Sequence, residues 1–192
     1  MASTTTNVPL NDEWTQIYIL LDKSGSMLQL NPENTSKQVT GLVREQTGGK
    51  VSVTAATFSD KYEVIKTNVN GREFELTPND IRPDGPTALQ ESLCRLIDDA
   101  GTELNSMTIE RPGKVVVIVL TDGEENASRG DYSGEPGRIK LAEKIKLQQE
   151  VYNWIFYFLV TQTEEALVSC IRYYTSRSEE HTSELQSRLH LV

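Results

Sequence analysis

The sequence predicts an α/β fold in which a mostly parallel sheet lies between two layers of helices. Two observations lead to this prediction. Short, strongly apolar segments alternate along the chain with longer segments whose apolar residues recur at helical spacing, as in strands joined by crossover helices. The apolar segments are also hydrophobic almost without interruption, as strands are when helices cover both faces of their sheet.

The first half of the chain predicts three strands and one helix. The apolar run at residues 15–21, TQIYILL, predicts the first strand. Residues 32–47 place apolar side chains on one helical face and are followed by glycines, a common helix end. Residues 51–58 are rich in β-branched side chains and predict a strand, which a short turn connects to residues 62–67. So short a connection allows only an antiparallel hairpin, so we expect one antiparallel edge strand.

The second half continues the alternation. Helical spacing of leucine and isoleucine predicts a helix over residues 89–104, and the most hydrophobic strand of the chain follows at 114–120. A glycine-rich loop leads to a helix near 138–150, a strand at 154–160 and a last helix at 163–174. The complete pattern predicts a three-layer, Rossmann-like sandwich with right-handed crossovers.

Composition narrows the classes of partner. The chain has 192 residues, of which 37% are hydrophobic and 24% charged, as in an ordinary soluble domain. Its net charge of -9 gives it no basic footprint, so we expect neither nucleic acid nor membrane as a partner. The N-terminal residues lack the basic and apolar regions of a signal peptide, which predicts a cytoplasmic protein. Cys94 and Cys170 have apolar neighbours and are expected to be buried thiols.

Oxygen-bearing side chains follow two of the predicted strands. The first strand stops at Asp22, with Ser24 and Ser26 directly after it, and the most hydrophobic strand is followed by Asp122. In a doubly wound sheet, ligands bind beyond the carboxyl ends of the strands at the point where strand order reverses, and we expect these two strands to be neighbours there. Thr87 begins a helix on a loop that reaches the same edge. The sequence thus predicts one cluster, formed by Asp22, Ser24, Ser26, Thr87 and Asp122.

The chemistry of this cluster favours a hard divalent cation. It contains no imidazole or thiol, which argues against zinc and copper. Mg²⁺ keeps several waters and takes one or two carboxylates. A set of two aspartates and three hydroxyls fits that description. Neutral hydroxyl ligands would leave the ion much of its charge and favour an anionic ligand from outside. The alternative is a pair of ordinary strand-ending turns, because aspartate, serine and glycine are common turn residues.

Three short segments resemble the metal-ion-dependent adhesion site of the von Willebrand factor A domain. They are DKSGS at 22–26, DGPTAL at 84–89 and LTDGEEN at 120–126. The resemblance covers roughly residues 14–160. More narrowly, the chain resembles small stand-alone bacterial and phage members of the family. It implies a von Willebrand factor A-like fold for this chain.

The resemblance also implies a function, that of a metal-dependent, adhesion-type protein-binding module rather than an enzyme. The cofactor would be Mg²⁺ or Mn²⁺, bound directly by the hydroxyls of Ser24 and Ser26. Thr87 would bind directly or through water, and Asp22 and Asp122 largely through bound waters. A glutamate or aspartate of a partner protein would complete the shell.

The C-terminal part departs from the family, which usually continues after the strand at 154–160 with a helix, a strand and a final helix. We therefore expect a flexible N-terminal arm at 1–13, a domain with an incomplete C-terminus at 14–176, and a non-native tail at 177–192. The tail resembles a translated sequencing-adapter read-through. A missing last strand would expose a sheet edge and make the product poorly soluble or oligomeric.

Two other functions stay open at this point. A Mg²⁺-dependent hydrolase or phosphatase could use Asp22 as a phosphoryl acceptor, but the predicted domain contains no histidine before residue 176 and no phosphate-binding loop of the G-x-x-x-x-G-K-[ST] type. The chain could also be an inert, truncated remnant. Glu124 and Glu125 could form a second cation site or an acidic rim, although solvated loop charges are the simpler interpretation.

Overall fold

The computed structural model describes residues 8–46, 49–122 and 124–160, which form one sheet with helices on both faces. The strands in this part of the chain are β1 (Leu10–Asp22), β2 (Lys50–Phe58), β3 (Tyr62–Asn70), β4 (Arg111–Thr121) and β5 (Ile155–Val160). The helices are α1 (Pro32–Arg44), α2 (Leu89–Ser106) and α3 (Gly134–Tyr152), with short 3₁₀ helices at Gly25–Gln29 and Gly130–Tyr132.

The strand order is β3-β2-β1-β4-β5, and every neighbouring pair is parallel except β2 and β3, which are antiparallel. The predicted α/β class and the single antiparallel edge strand are therefore confirmed. The chain moves outward from β1 in one direction through β2 and β3, and then returns to build β4 and β5 on the other side. The strand order thus reverses between β1 and β4, and Leu21 pairs with Leu120 in their register. Asp22 ends β1 and Asp122 directly follows β4, so both lie at the same edge of the sheet.

Each face of the sheet has its own hydrophobic core. Tyr18 and Leu20 of β1 point toward α2 and α3, whereas Ile17, Ile19 and Leu21 point toward α1. Side chains on both faces are almost fully buried, and each contributes about 1.5–3 kcal/mol to folding by its removal from water. Burial on both faces explains why the strands read as continuous apolar runs, and it fixes the strand ends relative to one another.

The first strand begins earlier than predicted. The expected arm at 1–13 is wrong for residues 10–13, because β1 starts at Leu10. Leu10 and Asn11 pair with β4 ahead of a register shift that precedes Thr15. This pairing uses backbone groups, and the side chain of Leu10 remains 65% exposed, so no apolar pattern marks it. Residues 1–7 lie outside the described ranges.

The helix ends differ in how their backbone groups find partners. The Asn31 side chain caps α1 by accepting hydrogen bonds from the backbone N–H groups of Glu33 and Asn34 at 2.9 and 3.3 Å. Asn153, in the left-handed region at φ 56°, terminates α3. The residue at the N-cap of α2 is Ala88, which has no side-chain group to offer. The free N–H groups of α2 must therefore find their partners elsewhere in the chain.

Several predictions concern residues outside the described ranges: the helix at 163–174, the thiol of Cys170, the domain end at 176 and the tail at 177–192. Cys94 is fully buried and has a free thiol, as predicted. Among the described helices, none combines the length and the apolar character needed to cross a membrane.

Candidate metal centre

Asp22 occupies the carboxyl end of β1, where its side chain is only 3% exposed. Its Oδ1 accepts a hydrogen bond from the backbone N–H of Ser24 at 2.8 Å, which forms a tight turn of the Asx type. Its Oδ2 accepts a hydrogen bond from Oγ1 of Thr121 at 2.7 Å. Both oxygens are thus held in a fixed orientation by the two strand ends.

The hydroxyls of Ser24 and Ser26 lie side by side, with 3.0 Å between their Oγ atoms. Ser24 is buried and Ser26 is partly buried. Adjacent oxygen ligands of an octahedral Mg²⁺ at its usual bond length of about 2.1 Å are roughly 3.0 Å apart. The spacing of the two hydroxyls therefore fits that of neighbouring ligands on one small cation.

Asp122 provides a second carboxylate directly after β4, and it is 6% exposed. Its Oδ1 accepts a hydrogen bond from the backbone N–H of Glu124 at 3.0 Å. Its Oδ2 is buried and has no hydrogen-bond partner among the described residues. A buried polar atom without a partner costs about 1–3 kcal/mol, and more when it is charged. This oxygen is therefore suited to a bound water or a cation.

The two aspartates are close enough to influence one another electrostatically. Burial is the largest cause that raises the pKa of the Asp22 carboxyl, and the negative charge of Asp122 raises it further. Hydrogen bonds from Ser24 and Thr121 act in the opposite direction by stabilising the ionised form. A cation between these groups would remove both the repulsion and the cost of burying the charge.

Thr87 lies just before α2, where it is 1% exposed, and neighbouring loops hold it on two sides. Its N–H donates to Oδ1 of Asn126 at 2.8 Å, and its carbonyl accepts from the N–H groups of Asn126 and Ala127 at 2.9 Å each. In the same loop, the carbonyl of Gly85 accepts a hydrogen bond from the N–H of Gly25 at 2.8 Å. Gly85 has a φ of 76°, a conformation that favours glycine.

The predicted residues thus meet at one edge of the sheet. Direct contacts join Asp22 to Ser24 and Ser24 to Ser26, whereas the Thr87 loop is connected through its neighbours on both sides. In residues 8–46, 49–122 and 124–160, no three histidine, cysteine, aspartate or glutamate side chains are grouped to hold a metal. The segments at this edge carry two carboxylates and three hydroxyls, and side chains of these types would suit a hard cation that keeps some of its water.

Glu125 has a role that the sequence interpretation missed. Its Oε1 accepts hydrogen bonds from the N–H groups of Ala127 and Ser128 at 3.2 and 2.9 Å. Its Oε2 accepts from the N–H of Gln90 at 2.7 Å and from Oγ of Ser128 at 2.8 Å. The interpretation of Glu125 as a solvated loop charge is wrong, because its carboxylate caps α2. The alanine at the N-cap of that helix was the available signal.

Comparisons with known proteins identify the fold. No protein-family model matches the chain, and no curated protein does either. The manganese-loaded TRAP protein of Plasmodium vivax is 15% identical, with 88% of this chain and 66% of that chain covered and a TM-score of 0.52. This likeness shows a shared fold.

Two further solved structures match at lower TM-scores. An aerotolerance-related membrane protein from Bacteroides fragilis is 18% identical over 76% of this chain and 67% of that chain, with a TM-score of 0.49. The ArnB paralog VWA2 from Sulfolobus acidocaldarius is 18% identical over 78% of this chain and 42% of that chain, also with a TM-score of 0.49. This chain thus spans about two thirds or less of the length of these structures.

Proposed function

We propose that this chain, which has the von Willebrand factor A fold, is a protein-binding module that depends on a divalent cation. The observation that carries the proposal is the buried Oδ2 of Asp122, which has no hydrogen-bond partner among the described residues and lies at the same sheet edge as the paired hydroxyls of Ser24 and Ser26. A buried anionic oxygen without a partner, close to a second buried carboxylate, favours a positive charge at this position.

Each residue has a distinct part in the proposed centre. The hydroxyls of Ser24 and Ser26 bind the cation, and Thr87 binds it directly or through water. Asp22 and Asp122 hold its waters and balance its charge. When bound, Mg²⁺ or Mn²⁺ supplies a positive charge that a carboxylate can approach. The partner is a protein that offers a glutamate or aspartate side chain to this charge.

The hydrogen bonds of Asp22 favour binding over phosphoryl transfer. Both of its oxygens accept hydrogen bonds, from the N–H of Ser24 and the hydroxyl of Thr121, so the carboxylate serves to orient its neighbours. No histidine occurs within the described residues to act as a general base. A turnover of phosphate esters that requires Mg²⁺ and disappears in Asp22→Asn would favour the hydrolase instead.

Thermal unfolding of the full chain tests the cation site. The melting temperature is measured in EDTA and then with millimolar Mg²⁺ or Mn²⁺, the ion held by TRAP. A cation at about 100 times its Kd stabilises the folded state by about 2.7 kcal/mol, which corresponds to roughly 5–10 °C in a domain of this size. Asp122→Asn should lose this rise. A cooperative transition without any cation-dependent shift in the wild type would refute the site, and the lack of a cooperative transition would indicate an inert remnant.

The requirement for an acidic partner is tested separately. Peptides from a random library are selected on the Mn²⁺-loaded protein, and each selected glutamate or aspartate is then replaced by glutamine or asparagine. We expect binding that EDTA abolishes and that the amide replacements weaken strongly. Selected peptides that bind equally well in EDTA, or without any carboxylate, would contradict the proposal.

A further inference from the structure

We propose that Glu125 is a positioning residue that, together with Asn126, holds Thr87 in place for the cation. The inference rests on the proposed function, since it assigns Thr87 to the cation site. It concerns two residues outside the set predicted from the sequence. Both residues act through hydrogen bonds to backbone groups on either side of the Thr87 side chain.

The first part of this arrangement fixes the start of α2. The carboxylate of Glu125 accepts the N–H of Gln90, and the hydroxyl of Ser128, itself bound to Glu125, accepts the N–H of Glu91 at 3.1 Å. These two N–H groups belong to the first turn of α2, which its own N-cap residue leaves without a side-chain partner. The helix that begins just after Thr87 is thus anchored to the segment that follows β4.

The second part fixes the peptide groups of Thr87 itself. Its N–H donates to the side chain of Asn126, and its carbonyl accepts from the backbone of Asn126 and Ala127. The next residue, Ala88, donates its N–H to the carbonyl of Ser59 at 2.8 Å. With these groups held, the backbone that carries the Thr87 hydroxyl has little freedom to rotate away from the site.

A single short segment therefore connects two of the proposed cation-site residues. It begins at Asp122, whose Oδ1 accepts the N–H of Glu124, and it continues through Glu125 and Asn126 to the contacts with Thr87. Hydrogen bonds from this segment join residues that are 35 and 39 positions apart in the sequence. A change at Glu125 is thus transmitted to Thr87 while Asp22 and the serines keep their direct contacts.

Glu125→Gln tests this arrangement with almost no change in shape. All four groups that face the carboxylate act as donors to it, so a glutamine amide must direct its own N–H₂ toward donors in either orientation. Glu124→Gln is the matched control. It removes the same charge one position earlier, from an exposed side chain, and leaves the backbone bond to Asp122 intact.

The experiment measures Mn²⁺ affinity of the full-length protein by calorimetry, well below the melting temperature of each variant. Loss of an outer-shell contact weakens metal binding by about 10- to 100-fold, and we expect this for Glu125→Gln. The exposed charge of Glu124 is screened, so Glu124→Gln should weaken binding by less than about threefold. Amide hydrogen exchange in EDTA gives a readout without metal, in which Glu125→Gln should speed exchange at Thr87 and Gln90.

A second pair of variants keeps the test decisive if Glu125→Gln does not fold. Asn126→Ala removes the acceptor for the N–H of Thr87, whereas Asn126→Asp retains an oxygen there. We expect Asn126→Ala to lose Mn²⁺ affinity and Asn126→Asp to keep it. Wild-type affinity in a folded Glu125→Gln, or in Asn126→Ala where Glu125→Gln does not fold, would overturn the inference and leave the proposed function standing. A wild type that does not bind Mn²⁺ would overturn both.

Discussion

Thr121 and Asp22, which are 99 residues apart in sequence, are joined by a hydrogen bond of 2.7 Å from Oγ1 of Thr121 to Oδ2 of Asp22. The bond connects the ends of β1 and β4 at the point where strand order reverses. Thr121 is fully buried and Asp22 nearly so, and water therefore has little access to this contact. A hydroxyl at this position orients the carboxylate that lies at the start of the candidate site.

Replacing the Thr121 hydroxyl should lower the free energy of unfolding, whereas the same replacement at Thr57 should not. Thr121→Val keeps the shape and removes a hydrogen bond to a charged group, which is worth about 1.5–3 kcal/mol. Thr57→Val is the control, because the buried hydroxyl of Thr57 has no hydrogen-bond partner within the ranges that the structure describes. We expect urea unfolding to show a loss for Thr121→Val and no loss, or a gain, for Thr57→Val. Equal losses would show that the contact with Asp22 contributes nothing specific.

The sequence was sufficient for much of the architecture because burial on both faces leaves a visible mark. The continuous apolar runs ending at Asp22 and before Asp122 indicated parallel strands, and the switch-point rule then placed the two aspartates at one edge. The first residues of β1 left no such mark. Leu10 pairs through its backbone while its side chain is exposed, so side-chain patterns carried no information about it.

Glu125 shows the same limit within the site. Its partners are mostly backbone N–H groups, one of them 35 residues away, and any residue type can supply a backbone N–H. The identity of its partners was therefore not encoded in the local sequence. Only the fold decided that a carboxylate in the loop after β4 would face the uncapped start of α2.

Cys94 should be unreactive in the folded protein. It is completely buried, and burial raises the pKa of its thiol to about 11, so very little thiolate exists near neutral pH. In a Cys170→Ser variant, alkylation by iodoacetamide at pH 8 should be slow until urea unfolds the chain. Rapid alkylation under native conditions would show that the face of the sheet covered by α2 opens readily.

Glu103 should make stability depend on pH in a definite direction. Burial raises the pKa of its carboxyl, and the hydrogen bond from the hydroxyl of Tyr18 at 3.1 Å acts against this by favouring the ionised form. A carboxyl with a raised pKa in the folded state stabilises that state below its unfolded pKa, and this contribution disappears as pH rises through the folded pKa.

Glu103→Gln removes this titration while it retains an acceptor for Tyr18. The stability of the variant relative to wild type should therefore increase from pH 3 to pH 7, as measured by urea unfolding at several pH values. The exposed Glu73→Gln serves as the control and should show no such increase. A relative stability of Glu103→Gln that falls over this range would contradict the assignment.

Asp22→Asn should change the melting temperature in opposite directions without and with a cation at the candidate site. Without a cation, the wild type holds two buried carboxylates near one another, and one of their four oxygens, Oδ2 of Asp122, has no hydrogen-bond partner in the described part of the chain. The amide keeps an acceptor for the N–H of Ser24 and removes one of the two charges.

In EDTA, the melting temperature of Asp22→Asn should therefore equal or exceed that of the wild type. With Mn²⁺, the order should reverse, because the variant has less negative charge to balance the cation and stabilisation depends on cation affinity. Glu73→Gln, at an exposed position, removes the same amount of negative charge and should leave the Mn²⁺-dependent shift unchanged. If Asp22→Asn were less stable in EDTA and still showed the full shift with Mn²⁺, Asp22 would be a structural turn residue rather than part of a cation site.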